Sequence, residues 1–61
     1  MNNRLVTGMA HDLRTPLTAL LLYTELLSQG KYKDEKEMEQ YLKKTAHKAN
    51  QIKQMSDDLF E

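Results

Sequence analysis

Apolar side chains recur at spacings of three and four residues along two stretches of this 61-residue chain. Such spacing places side chains on one face of an α-helix, because an α-helix has about 3.6 residues per turn. The second stretch follows the heptad pattern through Met38, Leu42, Thr45, Ala49, Ile52, Ser56 and Leu59. The first stretch carries Val6, Met9, Leu13, Leu17, Leu20, Thr24 and Leu27 on one face. The sequence therefore predicts two amphipathic helices, each with an apolar face to bury.

A short polar segment separates the two helical patterns. Gly30 suits the left-handed position that ends a helix. Asp34, followed three residues later by Glu37, is a capping-box arrangement that starts the next helix. The short loop predicts that the two helices are antiparallel neighbours. The expected order is helix, loop, helix, at about residues 2–29, 30–34 and 35–61.

A chain of this length rarely buries enough apolar surface to be stable alone, so it needs a disulfide, a metal or a partner chain. The sequence contains no Cys, which excludes disulfides and thiolate zinc sites. His11 and His47 are far apart in the sequence and have no ordered carboxylate cluster around them, so no metal site is predicted. A homodimer remains. The predicted fold class is all-α, an antiparallel helical hairpin that forms a four-helix bundle as a homodimer.

Charge and hydropathy argue against two other classes of protein. Nine Lys and Arg residues balance nine Asp and Glu residues, so no nucleic-acid partner is expected. The longest apolar run, residues 19–23, is too short to cross a bilayer. Helical pattern begins within a few residues of Met1 and continues to Glu61, so both ends are expected to be cuts through a longer protein.

The segment that begins at His11 reads His-Asp-Leu-Arg-Thr-Pro-Leu-Thr. Leu13 follows His11 by two residues, about 200° round a helix, so His11 faces solvent if Leu13 faces the core. Thr15 follows His11 by one turn, and Asp12 and Thr15 are neighbours at a spacing of three. Pro16 has no N–H to donate to the carbonyl of Asp12, so we expect a hinge beside His11. A complete break at Pro16, giving three helices, is the alternative.

This segment, from His11 to Thr18, resembles the phosphoacceptor box of sensor histidine kinases at every position of its usual pattern. The chain is similar to the dimerisation and histidine phosphotransfer domain of that family, which is a helical hairpin that dimerises into a four-helix bundle. The resemblance implies that Nε2 of His11 takes phosphate from ATP and passes it to an Asp of a response regulator receiver domain. It also implies that Asp12 is the base or orienting acid, and that Thr15 positions a water for the phosphatase reaction.

The resemblance also implies partners outside this chain. The chain has no glycine-rich nucleotide-binding segment, so we expect it to bind no cofactor itself and to be inactive alone. ATP with Mg²⁺ would bind the catalytic domain of the same protein, and the parent protein would lie in the bacterial cell membrane with this domain in the cytoplasm. The regulator would dock between His11 and the loop, on a surface that includes Thr18, Leu22 and Lys43, with Lys44 and Lys48 at similar height. The same residues also fit a solvated shoulder of the bundle.

Two other functions stay open. A structural dimeric hairpin would need no exposed imidazole beside an acid, and a phosphotransfer intermediary would take phosphate from a regulator rather than from ATP. Arg14 either neutralises phosphate or only solvates the helix surface. His47 has no acid next to it and is assigned no role.

Overall fold

The computed structural model describes residues 3–60, with side chains described for residues 8–58. It contains two α-helices, α1 (Asn3–Ser28) and α2 (Glu35–Phe60). They pack against each other in an elongated hairpin of 50 × 17 × 11 Å, which confirms the predicted all-α hairpin. Over the described residues, neither helix has both the length and the apolar character needed to cross a membrane.

The three-helix alternative is wrong, because α1 continues through Pro16. Proline in a helix interior removes one backbone hydrogen bond and normally kinks or breaks the helix. Pro16 is buried in the structure, whereas the residues on either side of it, Thr15 and Leu17, are exposed. Packing of the proline ring between the helices therefore offsets the lost hydrogen bond and keeps α1 continuous.

The C-terminal end of α1 is closed by backbone hydrogen bonds around Gly30. This glycine has a φ of 67°, the left-handed conformation that the sequence predicted. The N–H of Lys31 donates to the carbonyl of Leu26 at 2.8 Å, and the N–H of Gly30 donates to the carbonyl of Leu27 at 3.2 Å. These two bonds form a Schellman motif and satisfy carbonyls that have no partner within the helix.

The N-terminal end of α2 is capped by Asp34, as predicted. Its Oδ1 accepts a hydrogen bond from the N–H of Glu37 at 2.8 Å. The reciprocal bond differs from the capping-box expectation, because Glu37 Oε1 accepts the N–H of Lys33 at 3.0 Å rather than that of Asp34. The loop is thus fixed from both sides, which sets the antiparallel direction of α2.

The contact between the helices uses only part of the predicted apolar faces. The rings of Tyr23 and Tyr41 stack with centroids 5.8 Å apart, which sets the register of the two helices. Each helix turns partly buried side chains towards the other. They include Met9, Leu13, Leu20, Tyr23 and Leu27 on α1, and Met38, Tyr41, Thr45, Lys48, Ile52 and Met55 on α2.

Several residues of the predicted seams stay exposed in the single hairpin, because each apolar face is broader than one neighbouring helix can cover. They are Leu17, Thr24, Leu42 and Ala49. Val6 and Leu59, also predicted for the seams, lie outside the described side chains. Apart from Pro16, no apolar side chain among residues 8–58 is buried. The hairpin alone therefore leaves much of its apolar surface in water.

Candidate functional site

His11 and Asp12 lie on the open surface of α1. Their side chains are 79% and 70% exposed, so the predicted outward orientation of His11 is confirmed. His11 Nδ1 is 3.6 Å from Asp12 Oδ1. This separation is within ion-pair range but longer than an N–H···O hydrogen bond, so the expected bond to Asp12 is not formed in this conformation. Hydrogen bonds between catalytic groups are often long before the substrate binds.

The helix itself explains why these two side chains point outward. Leu13 is partly buried against α2. His11 lies two residues earlier, about 200° away round the helix, and is therefore turned to solvent. Thr15 follows His11 by one turn and is exposed as well. The accessible imidazole thus has a carboxylate beside it and a hydroxyl one turn away, on the side towards the loop.

A shallow groove of about 340 Å³ runs between the helices beside this surface. It is lined by Asp12, Thr15, Pro16 and Ala19 of α1 and by Lys48, Gln51 and Met55 of α2. The structure therefore brings three of the predicted site residues, Asp12, Thr15 and Pro16, into one groove. His11 adjoins the groove but does not line it.

Lys48 also lines the groove, although the sequence predicted it only at the height of the docking surface and gave it no role of its own. A sequence signal was available, because Lys48 interrupts a run of residues that face α1 at spacings of four and three. That run is Tyr41, Thr45, Lys48, Ile52 and Met55. A lysine is unusual at a position of α2 that faces α1, and this lysine lines the groove.

The three residues predicted for partner docking do not line this groove. Thr18, Leu22 and Lys43 are all exposed, with Leu22 at 52%. The neighbouring Lys44 lies against α1 instead of Lys43, since its Nζ is 5.7 Å from the centroid of the Tyr23 ring. Thr18 and Leu22 therefore remain on an open surface between His11 and the loop, and Lys43 is not brought against α1.

A second apolar surface lies opposite the groove. Leu17 and Leu21 are each two residues from the groove residue Ala19, and hence about 200° away round α1. Leu42 is nine residues from the groove residue Gln51, about 180° away round α2. These three leucines are 45%, 58% and 50% exposed, respectively. We refer to Leu17, Leu21 and Leu42 as the leucine face.

The full chain, residues 1–61, matches the family model of the His Kinase A (phospho-acceptor) domain. It is similar to the sensor histidine kinase YcbM of Bacillus subtilis (strain 168), with 38% identity over 58 residues, covering 95% of this chain and 19% of that protein. It is also similar to the sensor protein kinase WalK of Staphylococcus aureus, with 36% identity over 56 residues, covering 92% of this chain and 14% of that protein. The chain thus spans less than a fifth of these relatives. No solved structure matches it.

Proposed function

Because the chain belongs to the His Kinase A (phospho-acceptor) domain family, we propose that residues 1–61 form the dimerisation and phosphoacceptor domain of a two-component sensor histidine kinase. The observation that carries the proposal is the imidazole of His11, 79% exposed and beside the carboxylate of Asp12. In this role His11 takes phosphate from ATP on a separate catalytic domain. It then passes the phosphate to an Asp of a response regulator receiver domain.

The phosphorylation step needs a lone pair on Nε2 of His11. Nε2 attacks the γ-phosphorus of ATP, and the new P–N bond forms as the P–O bond to ADP breaks with its electron pair leaving on ADP. A hydrogen bond from Nδ1–H to Asp12 would keep the proton on Nδ1 and stabilise the positive charge that develops on the ring. The two side chains are exposed and their atoms are 3.6 Å apart, which supports Asp12 as the orienting acid or base.

Thr15 and Pro16 are proposed to serve the same site. The Thr15 hydroxyl lines the groove and would position water for removal of phosphate from the regulator. Pro16 leaves the carbonyl of Asp12 without its usual helical donor, so α1 has its weakest point beside the reactive residues and could act as a hinge there. Thr18, Leu22 and Lys43 are proposed to contribute to regulator docking, since all three are exposed on the loop side of His11.

The leucine face is proposed to be the surface that pairs two copies into a four-helix bundle. A symmetric dimer would bring Leu17, Leu21 and Leu42 of each copy together and remove them from water. This surface lies opposite the groove, so pairing would leave Asp12 and Thr15 accessible to a regulator. The exposed leucines support this arrangement, as does the absence of any buried apolar side chain other than Pro16 among residues 8–58.

The remaining partners follow from the sensor kinases that the chain resembles. We propose that ATP and Mg²⁺ bind the catalytic domain of the same protein, so that this chain does not phosphorylate itself when isolated. We also propose that the chain is a cytoplasmic domain of a protein held in the bacterial cell membrane.

Two single substitutions test the proposed phosphoacceptor. The chain is incubated with radiolabelled ATP and the separately purified catalytic domain of its own kinase. His11→Gln is expected to abolish the acid-labile label, because it removes the attacking nitrogen. His47→Gln is the matched control, since it removes another exposed imidazole and should keep the label. Label that persists in His11→Gln contradicts the proposal. Label obtained only from a phosphorylated receiver domain would instead identify a phosphotransfer intermediary.

A further inference from the structure

Lys48 lines the groove together with Asp12 and Thr15. We propose that Lys48 binds the phosphoryl group of the phosphorylated receiver domain in this groove, an inference that rests on the proposed function. Its ammonium would hold the phosphoryl oxygens while water attacks. Lys48 would thus serve removal of phosphate from the regulator more than phosphorylation of His11.

Lys48 lies on the side of α2 that faces α1. The same run of residues includes Tyr41, Ile52 and Met55, which supply apolar side chains. Lysine at such a position is tolerated when its aliphatic stem packs along the neighbouring helix and its ammonium reaches the edge of the contact. Lys48 is only partly buried and lines the groove, as this arrangement requires.

The register of the hairpin places Lys48 level with the reactive segment. Tyr23 stacks on Tyr41, so residues at equal distances from this pair lie at similar heights on antiparallel helices. Pro16 precedes Tyr23 by seven residues, and Lys48 follows Tyr41 by seven. The cation therefore lies across the groove from Pro16 and next to the level of Thr15.

The ammonium of Lys48 is also available for an anion. Within residues 8–58, Lys48 takes part in no hydrogen bond to a side chain or backbone carbonyl and in no ion pair. Lys53, one and a half turns further along α2, instead pairs with Asp57 at 2.8 Å. A compact ammonium group without a carboxylate partner is suited to binding phosphate oxygens.

Removal of phosphate from the receiver domain needs only water as a second reactant. The oxygen of water forms a new P–O bond, and the P–O bond to the aspartate of the receiver domain breaks. The electron pair leaves on the aspartate carboxylate, and the proton lost by water goes to the released phosphate or solvent. Thr15 would position the water, and Lys48 would offset the negative charge on the phosphoryl oxygens as they reorganise.

The experiment compares two rates for each variant of this chain. One is the labelling of His11 by ATP and the catalytic domain, and the other is the loss of phosphate from the phosphorylated cognate receiver domain. Lys48→Gln is expected to slow the loss of phosphate about tenfold and to leave labelling within about twofold of the unsubstituted chain. Lys48→Arg, which keeps the positive charge, should restore most of the dephosphorylation rate. Lys36→Gln removes an exposed lysine near the loop and should change neither rate.

The two rates separate this inference from the proposed function. If the unsubstituted chain is not labelled at His11, the proposed function itself fails. If labelling proceeds but Lys48→Gln dephosphorylates the receiver at the unsubstituted rate, the role of Lys48 is refuted. An equal decrease in both rates together with a lower melting temperature also refutes it, because Lys48 would then only support the packing of the helices.

Discussion

At the scale of single residues, the proposed reaction depends on which ring nitrogen of His11 carries its proton. An exposed imidazole can hold its proton on either nitrogen, and only the form protonated on Nδ1 presents a lone pair on Nε2. Asp12 is the one carboxylate within ion-pair distance of this ring in the described part of the chain. Its contribution would come from orienting the ring and from stabilising the charge that develops during attack.

Asp12→Asn tests this contribution. The amide keeps the size of the side chain but removes the negative charge, so we expect the initial rate of His11 labelling to fall roughly 100-fold. The rate is measured with the catalytic domain and ATP in excess. Asp58→Asn removes an exposed carboxylate from α2 and should leave labelling unchanged. Labelling of Asp12→Asn at the unsubstituted rate would show that Asp12 is only a surface acid.

At the scale of the helices, the ends could be predicted better than the contact between them. Gly30 and Asp34 act through hydrogen bonds to residues within five positions, so local sequence determines both caps. The contact face could not be predicted in the same way. Leu17 and Leu42 fit the apolar period as well as Tyr23 and Tyr41 do, and packing of the complete side chains decides which of them meet.

In the site too, features within one helix could be predicted from the sequence, whereas features that depend on both helices could not. Spacing along α1 was sufficient to predict that His11 faces solvent, because a helix relates His11 to Leu13 directly. The groove depends on the register between two helices, which spacing within either helix does not determine. The spacing along α2 distinguishes Lys48 from Lys43 and Lys44 as a residue that faces α1, but only the stacking of the tyrosines shows that it lies level with Pro16.

Replacing each of the two glycines by alanine should change the free energy of unfolding in opposite directions. A Cβ added at Gly8 or Gly30 would meet no heavy atom within 4 Å, so crowding is the same at both positions. Gly8→Ala should raise the free energy of unfolding by about 1 kcal/mol, because alanine favours a helix interior. Gly30→Ala should lower it by about 1 kcal/mol, because φ is 67° there. Urea unfolding at one fixed protein concentration measures both, and a change of the same sign would contradict the backbone argument.

At the scale of the whole molecule, a single hairpin has two sides with different requirements. The groove side carries Asp12, Thr15 and Lys48, which the proposed function requires to stay accessible. Removing the exposed leucine face from water would stabilise the protein. A dimer that pairs the leucine faces satisfies both requirements. Two copies would also present two His11 sites on opposite outer surfaces of one bundle.

Leu21 and Leu22 are adjacent and nearly equally exposed, at 58% and 52%, so they form a matched pair for testing which side is covered. Leu21 is about 200° from the groove residue Ala19 and belongs to the leucine face, whereas Leu22 is about 60° from Ala19 and lies towards the groove.

Leu21→Glu should raise the dimer dissociation constant roughly 100-fold, because symmetry places two buried charges in the interface. Leu22→Glu should leave it unchanged. Sedimentation velocity over a range of concentrations measures both constants. If Leu22→Glu weakened the dimer as much as Leu21→Glu, the groove side would be the interface, and the accessible site proposed for the regulator would be lost.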